Sequence, residues 1–306
     1  MGTISDSWQQ TARGDRRRRR ITQYLWVVFF LTPSLIGLIA LHAVPMLVSL
    51  VLGVSQWNIP ESLRFVGLAN FIHMINDPDF FQSLSNSVYL MVGLEALNTT
   101  FGLLAALALN RRLRGISIYR TIYFLPLVTT WAAVALAWRY MYSLSGPINQ
   151  LLSVAGIAAV PWLSDPSWAM PAVILTTAWK SIAWKMIILL AGLQGISPEL
   201  YEASSIDGAS KLQQLFKITL PLLSPALFFA LVIGIINSLQ LFDPIFIMTA
   251  GGPADSTRTL GYYIYTTGFQ DLNMGYAAAM SWALLVIILC FTLVQWYLQK
   301  KWVFYE

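Results

Sequence analysis

Polar side chains recur three residues apart within two apolar stretches of the sequence. Asn237, Gln240 and Asp243 form one series, and Glu95 and Asn98 form the other. Residues spaced in this way lie on roughly one side of a helix, and their amide and carboxylate groups can bond the hydroxyls of a polar solute. We expect Asn237, Gln240 and Asp243 to line a solute path, with hydrogen bonding to a neighbouring helix as an equally open alternative.

Two lysines, Lys180 and Lys185, lie in a third apolar stretch. A charge in apolar surroundings is costly unless it is paired, so we expect an interhelical pairing of Glu95 with one of these lysines. A place on the solute path remains the alternative for Glu95, Asn98 and Lys180. Residues five apart do not share a helix face well, so the two lysines should point in different directions. A lysine on the path would favour an anionic solute.

Motifs of enzymatic or metal chemistry are absent from the sequence. It contains no G-x-x-x-x-G-K-[ST] phosphate loop, so the chain cannot hold ATP by that route, and it contains neither H-E-x-x-H nor G-x-S-x-G. His42, His73 and Cys290 each stand alone among the ligand-type residues. We therefore predict no metal site, no cofactor bound by this chain and no enzymatic activity.

The composition predicts that the chain lies in a bilayer. Hydrophobic residues make up 57% of its 306 residues, and charged residues only 11%. The mean hydropathy of +0.63 is too high for a soluble domain of this length. A transmembrane helix needs roughly 20 mostly apolar residues. We predict an all-α membrane protein with six spans near 24–52, 85–109, 118–142, 171–192, 222–243 and 276–298. Most of the twelve tryptophans are assigned to the aromatic belts, and none to a solute.

Basic residues are distributed unequally between the two ends of the predicted spans. Fourteen lie on one side, and two, Arg64 and Arg258, lie on the other. Because Lys and Arg accumulate on the cytoplasmic side, both termini are predicted to be cytoplasmic. Residues 1–20 form a basic tail, and 21–306 form the six-span domain. The apolar stretch after the tail is longer than the ~7–15-residue core of a cleaved signal peptide. Basic clusters that flank apolar runs do not form the basic face that nucleic acid requires.

The stretch 197–221, between two predicted spans, is polar and has helical patterning. Ser197 is a good N-cap, and Gly208 supplies the left-handed conformation that ends a first helix. Ser210, with Gln213 three residues later, fits a capping box that begins a second helix. We predict two short cytoplasmic helices bent at Gly208. They are either an interfacial pair that closes a loop or a docking handle for a partner.

This stretch resembles the EAA loop of the permease subunits of binding-protein-dependent ABC importers. The matching positions are Glu202, Ala203, Gly208, Ile218, Leu220 and Pro221. The sequence departs from the pattern at Ser204, where the family has alanine. Five further segments resemble the carbohydrate-type permeases, similar to those for maltose and glycerol phosphate: FVGLANF (65–71), RTIYFLPLV (120–128), AWK (178–180), FIMTAGGP (246–253) and YIYTTGF (263–269).

The resemblance implies a multi-pass subunit of a bacterial or archaeal cell membrane that works with several partners. These are a second permease subunit, expected to be a different chain, two ATPase subunits that hold ATP and Mg²⁺, and an external solute-binding protein. The EAA helices would sit in a cleft of the ATPase, and the fifth span would contact the substrate. Gly251, Gly252 and Pro253 would face the solute-binding protein, although by composition this segment is typical of a loop tip.

The implied function is uptake of a sugar by alternating access, with glycerol phosphate as the alternative substrate. An ion-coupled secondary transporter is a second class, in which Glu95 or Asp243 would titrate. That class predicts inverted repeats, and the two halves of the sequence show no convincing repeat. It also leaves the stretch 197–221 unexplained. A membrane-anchored structural protein, the third class, would not need aligned polar residues in its fifth span.

Overall fold

The computed structural model describes residues 23–110 and 115–304, which are mostly helical. The predicted tail 1–20 and the predicted cytoplasmic residues Arg111, Arg112 and Arg114 lie outside the described residues. In chain order the helices are α1 (Gln23–Gly53), α2 (Ala69–Ile75), α3 (Pro78–Leu109), α4 (Ile116–Val128), α5 (Trp131–Met141), α6 (Pro147–Val154), α7 (Pro166–Gln194), α8 (Pro198–Ile206), α9 (Lys211–Leu239), α10 (Asp243–Met248), α11 (Leu260–Tyr265) and α12 (Met274–Gln299).

Five helices of the described chain, α1, α3, α7, α9 and α12, are long and apolar enough to cross a membrane. They correspond to five of the six predicted spans. The sixth predicted span, 118–142, is not one continuous helix but a pair of helices joined by a sharp bend, and the described chain has six spans if this pair crosses the membrane as one. There the axes of Thr121–Val128 and Trp131–Met141 meet at 102°. Thr129 and Thr130 adopt extended backbone between them, and the Thr130 side chain accepts a hydrogen bond from the Ala133 amide, which begins α5 as a new helix.

The long helices begin earlier than hydropathy predicted, because their first turns are polar. The Asp77 carboxylate accepts from the Asp79 amide at 2.9 Å, and Pro78 fits the first turn of α3, where a missing N–H costs nothing. Asp165 caps α7 in the same way by accepting from the Ser167 amide at 2.7 Å. Polar first turns therefore extend α3 and α7 beyond the apolar windows 85–109 and 171–192.

The centre of the bundle is the close pairing of α3 with α7. A Cβ atom on Gly102 of α3 would lie 3.3 Å from the Lys185 Cβ, so glycine allows the two backbones to approach. Leu94 on α3 and Val173 and Leu189 on α7 are almost fully buried elsewhere along these two helices. Helix α9 packs against both members of the pair and completes a three-helix core.

Helix α1 stands apart from this core. None of the residues in its most apolar window is buried. Its last turn is the exception, where Gly53 is buried and packs against the backbone at Ala279 of α12. The chain then forms a small antiparallel sheet of β1 (Ser55–Gln56) and β2 (Arg64–Phe65).

Candidate functional site

A cavity of about 500 Å³ lies between α3, α7, α9 and the break that separates α4 from α5. Two indole rings, Trp131 and Trp184, form part of its wall. Its other polar and charged lining residues are Glu95, Asn98, Thr129, Thr130, Thr177, Lys180, Ser181, Lys185, Asn237 and Ser238. Apolar walls with a few convergent polar groups are typical of a small-molecule site.

Glu95 and Lys185 form an ion pair between α3 and α7 at one end of this cavity. Lys185 also donates to the Thr99 hydroxyl at 3.0 Å, and Ser238 of α9 hydrogen-bonds to Glu95. The Glu95 carboxylate packs directly against Gly234, where any side chain would clash. The expected interhelical pairing of Glu95 is therefore present, and both partners also line the cavity.

The uncharged polar groups of α3 and α7 form a second set. The Asn98 amide donates to the Ser181 hydroxyl at 3.0 Å, and Ser181 donates to the Thr177 carbonyl at 2.7 Å. The Thr177 side chain is almost fully buried, and its hydroxyl oxygen has no hydrogen-bond partner among the described residues. Because that oxygen is itself buried, it is an unsatisfied polar group beside the cavity rather than an exposed part of its wall.

Among the described residues, Lys180 does not pair with a carboxylate. Its ammonium donates to the backbone carbonyls of Pro126, Leu127 and Thr129 at 2.9, 3.1 and 2.6 Å. The open alternative of a Glu95–Lys180 pair is therefore wrong. Lys180 and Lys185 do point to different partners, as their spacing predicted, yet both border the cavity.

Asn237, Gln240 and Asp243 do not share one helix face, contrary to the prediction. Asn237 lines the cavity, but α9 ends at Leu239, Gln240 is its exposed C-cap residue, and Asp243 opens α10. Pro244 fits the first turn of a new helix, where its missing N–H costs nothing, and the predicted span 222–243 therefore ends early.

Sequence reasoning missed several lining residues. Thr177, Ser181 and Trp184 follow one another at spacings of four and three on α7. This helical spacing was a usable signal that they share a face. Trp131 carried no such signal, because the break between α4 and α5 places it at the cavity.

The stretch 197–221, hereafter the helix pair, has the predicted caps. Ser197 accepts from the Glu199 amide at 3.3 Å, and Gly208 has φ +79° after the first helix, α8. Ser210 and Gln213 form both bonds of a capping box. The second element is not a separate short helix, because α9 runs from Lys211 to Leu239 through a π turn just before Pro221. The wider turn lets the helix continue through that proline.

Gln214 ties α8 to the start of α9. The side chain is buried, and its amide nitrogen lies within hydrogen-bond distance of the Tyr201 carbonyl at 3.2 Å. The same nitrogen bonds the hydroxyls of Ser204 and Ser205 at 2.9 and 2.8 Å. Ser204 is the position that departs from the family pattern, and here its hydroxyl has a defined partner. Tyr201 and Thr219 add a hydroxyl–hydroxyl bond of 3.0 Å.

The six positions that match the EAA pattern divide by exposure. Glu202, Ala203 and Gly208 are exposed, whereas Ile218, Leu220 and Pro221 are half-buried. The first three are therefore open to a partner, and the last three belong to the packing of α9.

Gly251, Gly252 and Pro253 lie in a turn-rich loop between α10 and α11, and this loop is anchored to the fold. Gly251 is buried against the Tyr262 ring. The Thr257 hydroxyl donates to the Gly252 carbonyl at 2.8 Å. Gly252 and Pro253 border a second cavity, of about 520 Å³, which Arg139 also lines.

Asp77, the residue before α3, connects the start of that helix to α11 and α12. Its carboxylate accepts from the hydroxyls of Tyr263 at 2.8 Å and Tyr276 at 2.5 Å. Burial raises the pKa of Asp77. The hydrogen bonds from Tyr276, Tyr263 and the backbone together lower it by more, so the pKa lies below its ordinary value. The carboxylate is thus held in its charged form.

A family model described as "Binding-protein-dependent transport system inner membrane component" matches residues 98–303. The chain belongs to this family. It is 37% identical to the "Probable ABC transporter permease protein YesP" of Bacillus subtilis (strain 168), over 90% of this chain and 91% of that protein. It is 34% identical to the "Lactose transport system permease protein LacF" of Rhizobium radiobacter, over 89% and 93%.

A solved structure has the same fold. It is a chain of a bacterial ABC transporter involved in the import of the acidic polysaccharide alginate. The TM-score is 0.82 at 25% identity, and the match covers 94% of this chain and 99% of that one. The permease fold and the predicted membership of the ABC importer permeases are confirmed. The chain is a multi-pass inner-membrane transport subunit rather than an enzyme, and the ion-coupled and structural classes are excluded.

Proposed function

We propose that this permease subunit imports a neutral sugar or polyol, and that the cavity around Asn237 is part of the solute path. The observation that carries the proposal is that both cavity lysines are already satisfied within the chain. Lys185 is paired with Glu95, and Lys180 is bonded to three carbonyls. Among the described lining residues, an anionic solute such as glycerol phosphate would meet no free cation. Amide, hydroxyl and indole groups remain, and these suit a polyhydroxy ring.

The names of the relatives include both solute classes. A lactose permease and a glycerol-3-phosphate permease are each similar to this chain along most of its length, and the structural neighbour imports a polysaccharide. The neighbour's cargo is acidic, so the neutral class proposed for this chain depends on the satisfied lysines rather than on the relatives.

We place both termini in the cytoplasm, because the excess of Lys and Arg lies on that side. The helix pair then faces the two ATPase subunits, which hold ATP and Mg²⁺, and a second, different permease chain completes the membrane part. Glu202 is exposed on α8, and the apolar side chains of Ile206 and Phe216 are 87% and 63% exposed. Exposed apolar side chains beside a charged residue suit a protein partner. Gly251, Gly252 and Pro253 would meet the solute-binding protein.

In this mechanism the loaded solute-binding protein docks on the outer loops, and ATP closes the ATPase pair around α8. The displacement passes through the helix pair to α9, which carries Asn237 into its inward-open arrangement. Glu95 stays paired with Lys185 throughout, and no proton transfer to its carboxylate is required.

We expect Asn237→Ala to raise the KM for solute uptake about tenfold, because one amide that bonds the solute is lost. Uptake by the reconstituted complex, with the solute-binding protein and ATP, measures the change. Gln240→Ala is the matched control. It removes an exposed amide three residues away that does not line the cavity. Equal losses in the two variants would contradict the proposed path.

A separate experiment tests whether the transported solute is neutral or anionic. Neutral sugars and sn-glycerol 3-phosphate are compared as ligands of the cognate solute-binding protein and as transported solutes. Uptake of neutral sugars alone is the expected result. Preferred uptake of the phosphate would contradict the neutral class.

We expect Gln214→Leu to lower the amount of solute moved per ATP by roughly five- to tenfold. The buried hydrogen bonds between α8 and α9 are lost, and such losses cost about 1–3 kcal/mol. Uptake and ATP hydrolysis are measured in parallel on the same vesicles. Gln213→Ala, which removes only the exposed capping-box bond, is expected to keep most of the coupling. Unchanged coupling in Gln214→Leu would contradict a rigid link between the two helices.

A further inference from the structure

The break between α4 and α5 removes hydrogen-bond donors in the middle of a span. Its axes meet at 102°, and Thr129 and Thr130 leave the helical conformation. The last carbonyls of α4 therefore lack the amide donors of a following helical turn. Inside a bilayer, such groups must find a donor from the protein or from a water-filled cavity.

Lys180 of α7 supplies those donors. An ammonium has three N–H groups, and the three carbonyl oxygens of Pro126, Leu127 and Thr129 lie 2.6 to 3.1 Å from the Lys180 Nζ. The Lys180 side chain is buried, and among the described residues it forms no ion pair. The carbonyl end of a helix carries partial negative charge, so α4 also compensates the cation electrostatically.

The segment that Lys180 holds is one wall of the solute cavity. Thr129, Thr130 and Trp131 all line it, and the ammonium lies 5.2 Å from the centre of the Trp131 ring. Lys185, one and a half turns away, does not act on this segment, because its charge is paired with Glu95.

We propose that Lys180 is a positioning residue for transport. Its ammonium replaces the missing helical donors at the break and so fixes Thr130 and Trp131 as a wall of the cavity. Direct contact between Lys180 and solute is not part of this role, because the three protons of the ammonium are already used. The inference depends on the proposed function only in taking the cavity as the solute path.

The test combines Lys180→Ala with chemical rescue. Alanine removes a chain of three carbons and the nitrogen, which matches n-propylammonium, and 1-propanol is the uncharged control. Spin labels on Tyr123→Cys of α4 and Tyr140→Cys of α5 report the geometry of the break, in a background in which Cys290, the one native cysteine, is serine. Tyr123 and Tyr140 are exposed, so labels at both positions should be tolerated. The complete transporter is used throughout.

We expect Lys180→Ala to broaden the distance distribution between the labels and to raise the KM for the neutral sugar about tenfold. n-Propylammonium should narrow the distribution and lower the KM again, whereas 1-propanol should do neither. Lys180→Arg, which keeps charge and donors, should retain a narrow distribution. It is the variant to measure if the alanine protein does not assemble.

Three results would overturn the proposal. One is an unchanged distance distribution in Lys180→Ala, and another is a distribution in that variant that n-propylammonium does not restore. A third is loss of affinity for anionic solutes alone, which would make Lys180 a solute contact. The label distances do not depend on solute. If they respond as expected while neither Asn237→Ala nor Lys180→Ala alters uptake, Lys180 orders the break but the cavity is not the solute path, and the proposed function fails.

Discussion

Glu95→Ala is expected to lower the free energy of unfolding by about 3–5 kcal/mol. The substitution leaves Lys185 buried without its counter-charge, and an uncompensated buried charge is far more costly than a missing pair. The Lys185 side chain is only 3% exposed, so its ammonium is poorly hydrated. Thermal unfolding of the detergent-solubilised complex, followed by the loss of its assembled form, measures the change.

The double variant Glu95→Ala/Lys185→Met is the decisive control for this prediction. It removes both charges and fills the space with an apolar chain, so most of the stability should return. Asp255→Asn provides a second control. Asp255 is about half exposed in its pair with Arg258, and asparagine tolerates its positive φ of 58°, so this change should cost only ~0–1 kcal/mol. A double variant as unstable as Glu95→Ala would show that packing rather than charge dominates.

Gly208→Val is expected to reduce uptake by more than about tenfold and to leave ATP hydrolysis uncoupled from it. Gly208 has φ +79°, and a β-branched residue is strongly disfavoured in this left-handed conformation. Apart from Gly208 and its two chain neighbours, no heavy atom of the described residues lies within 4 Å of the Cβ position, so the effect comes from the backbone and not from a clash. A changed turn at Gly208 would alter the orientation of α8 relative to α9. Uptake and ATP hydrolysis in the same reconstituted vesicles are the measurement.

Two variants separate this cause from a general effect of losing a glycine. Gly208→Asn should keep most of the uptake, because asparagine tolerates the left-handed region better than other residues with side chains. Gly195→Ala, at the end of α7, lies in ordinary helical conformation and should also remain active. Wild-type uptake in Gly208→Val would contradict the importance of this turn.

Local signals in the sequence were sufficient for the helix pair and for most spans. The caps at Ser197 and Ser210 and the turn at Gly208 depend on neighbours within a few residues, so their spacing determines them. Five spans followed from apolar length alone, because a bilayer requires helices of that length.

The remaining features of the fold and the site depend on contacts between residues far apart in the chain, which local spacing does not predict. A hydropathy window over 118–142 cannot detect a 102° bend, because the residues stay apolar on both sides of it. The hydrogen-bond partners of Lys180 could not be predicted from spacing either, since these carbonyls lie more than fifty residues earlier in the chain. Pro244 is the local signal that a new helix begins near Asp243, and the three-residue spacing of Asn237, Gln240 and Asp243 does not contain it.

Because α9 is one continuous helix, its length determines how far a tilt at one end moves the other end. From Lys211 to Asn237 a helix rises roughly 40 Å, at about 1.5 Å per residue. If the helix pivots at its Lys211 end, a tilt of about 10° moves the Asn237 end by roughly 7 Å, comparable to the width of a sugar ring. The stiffness of this one helix, and of the π turn within it, therefore sets how much of a small motion at the helix pair arrives at the cavity.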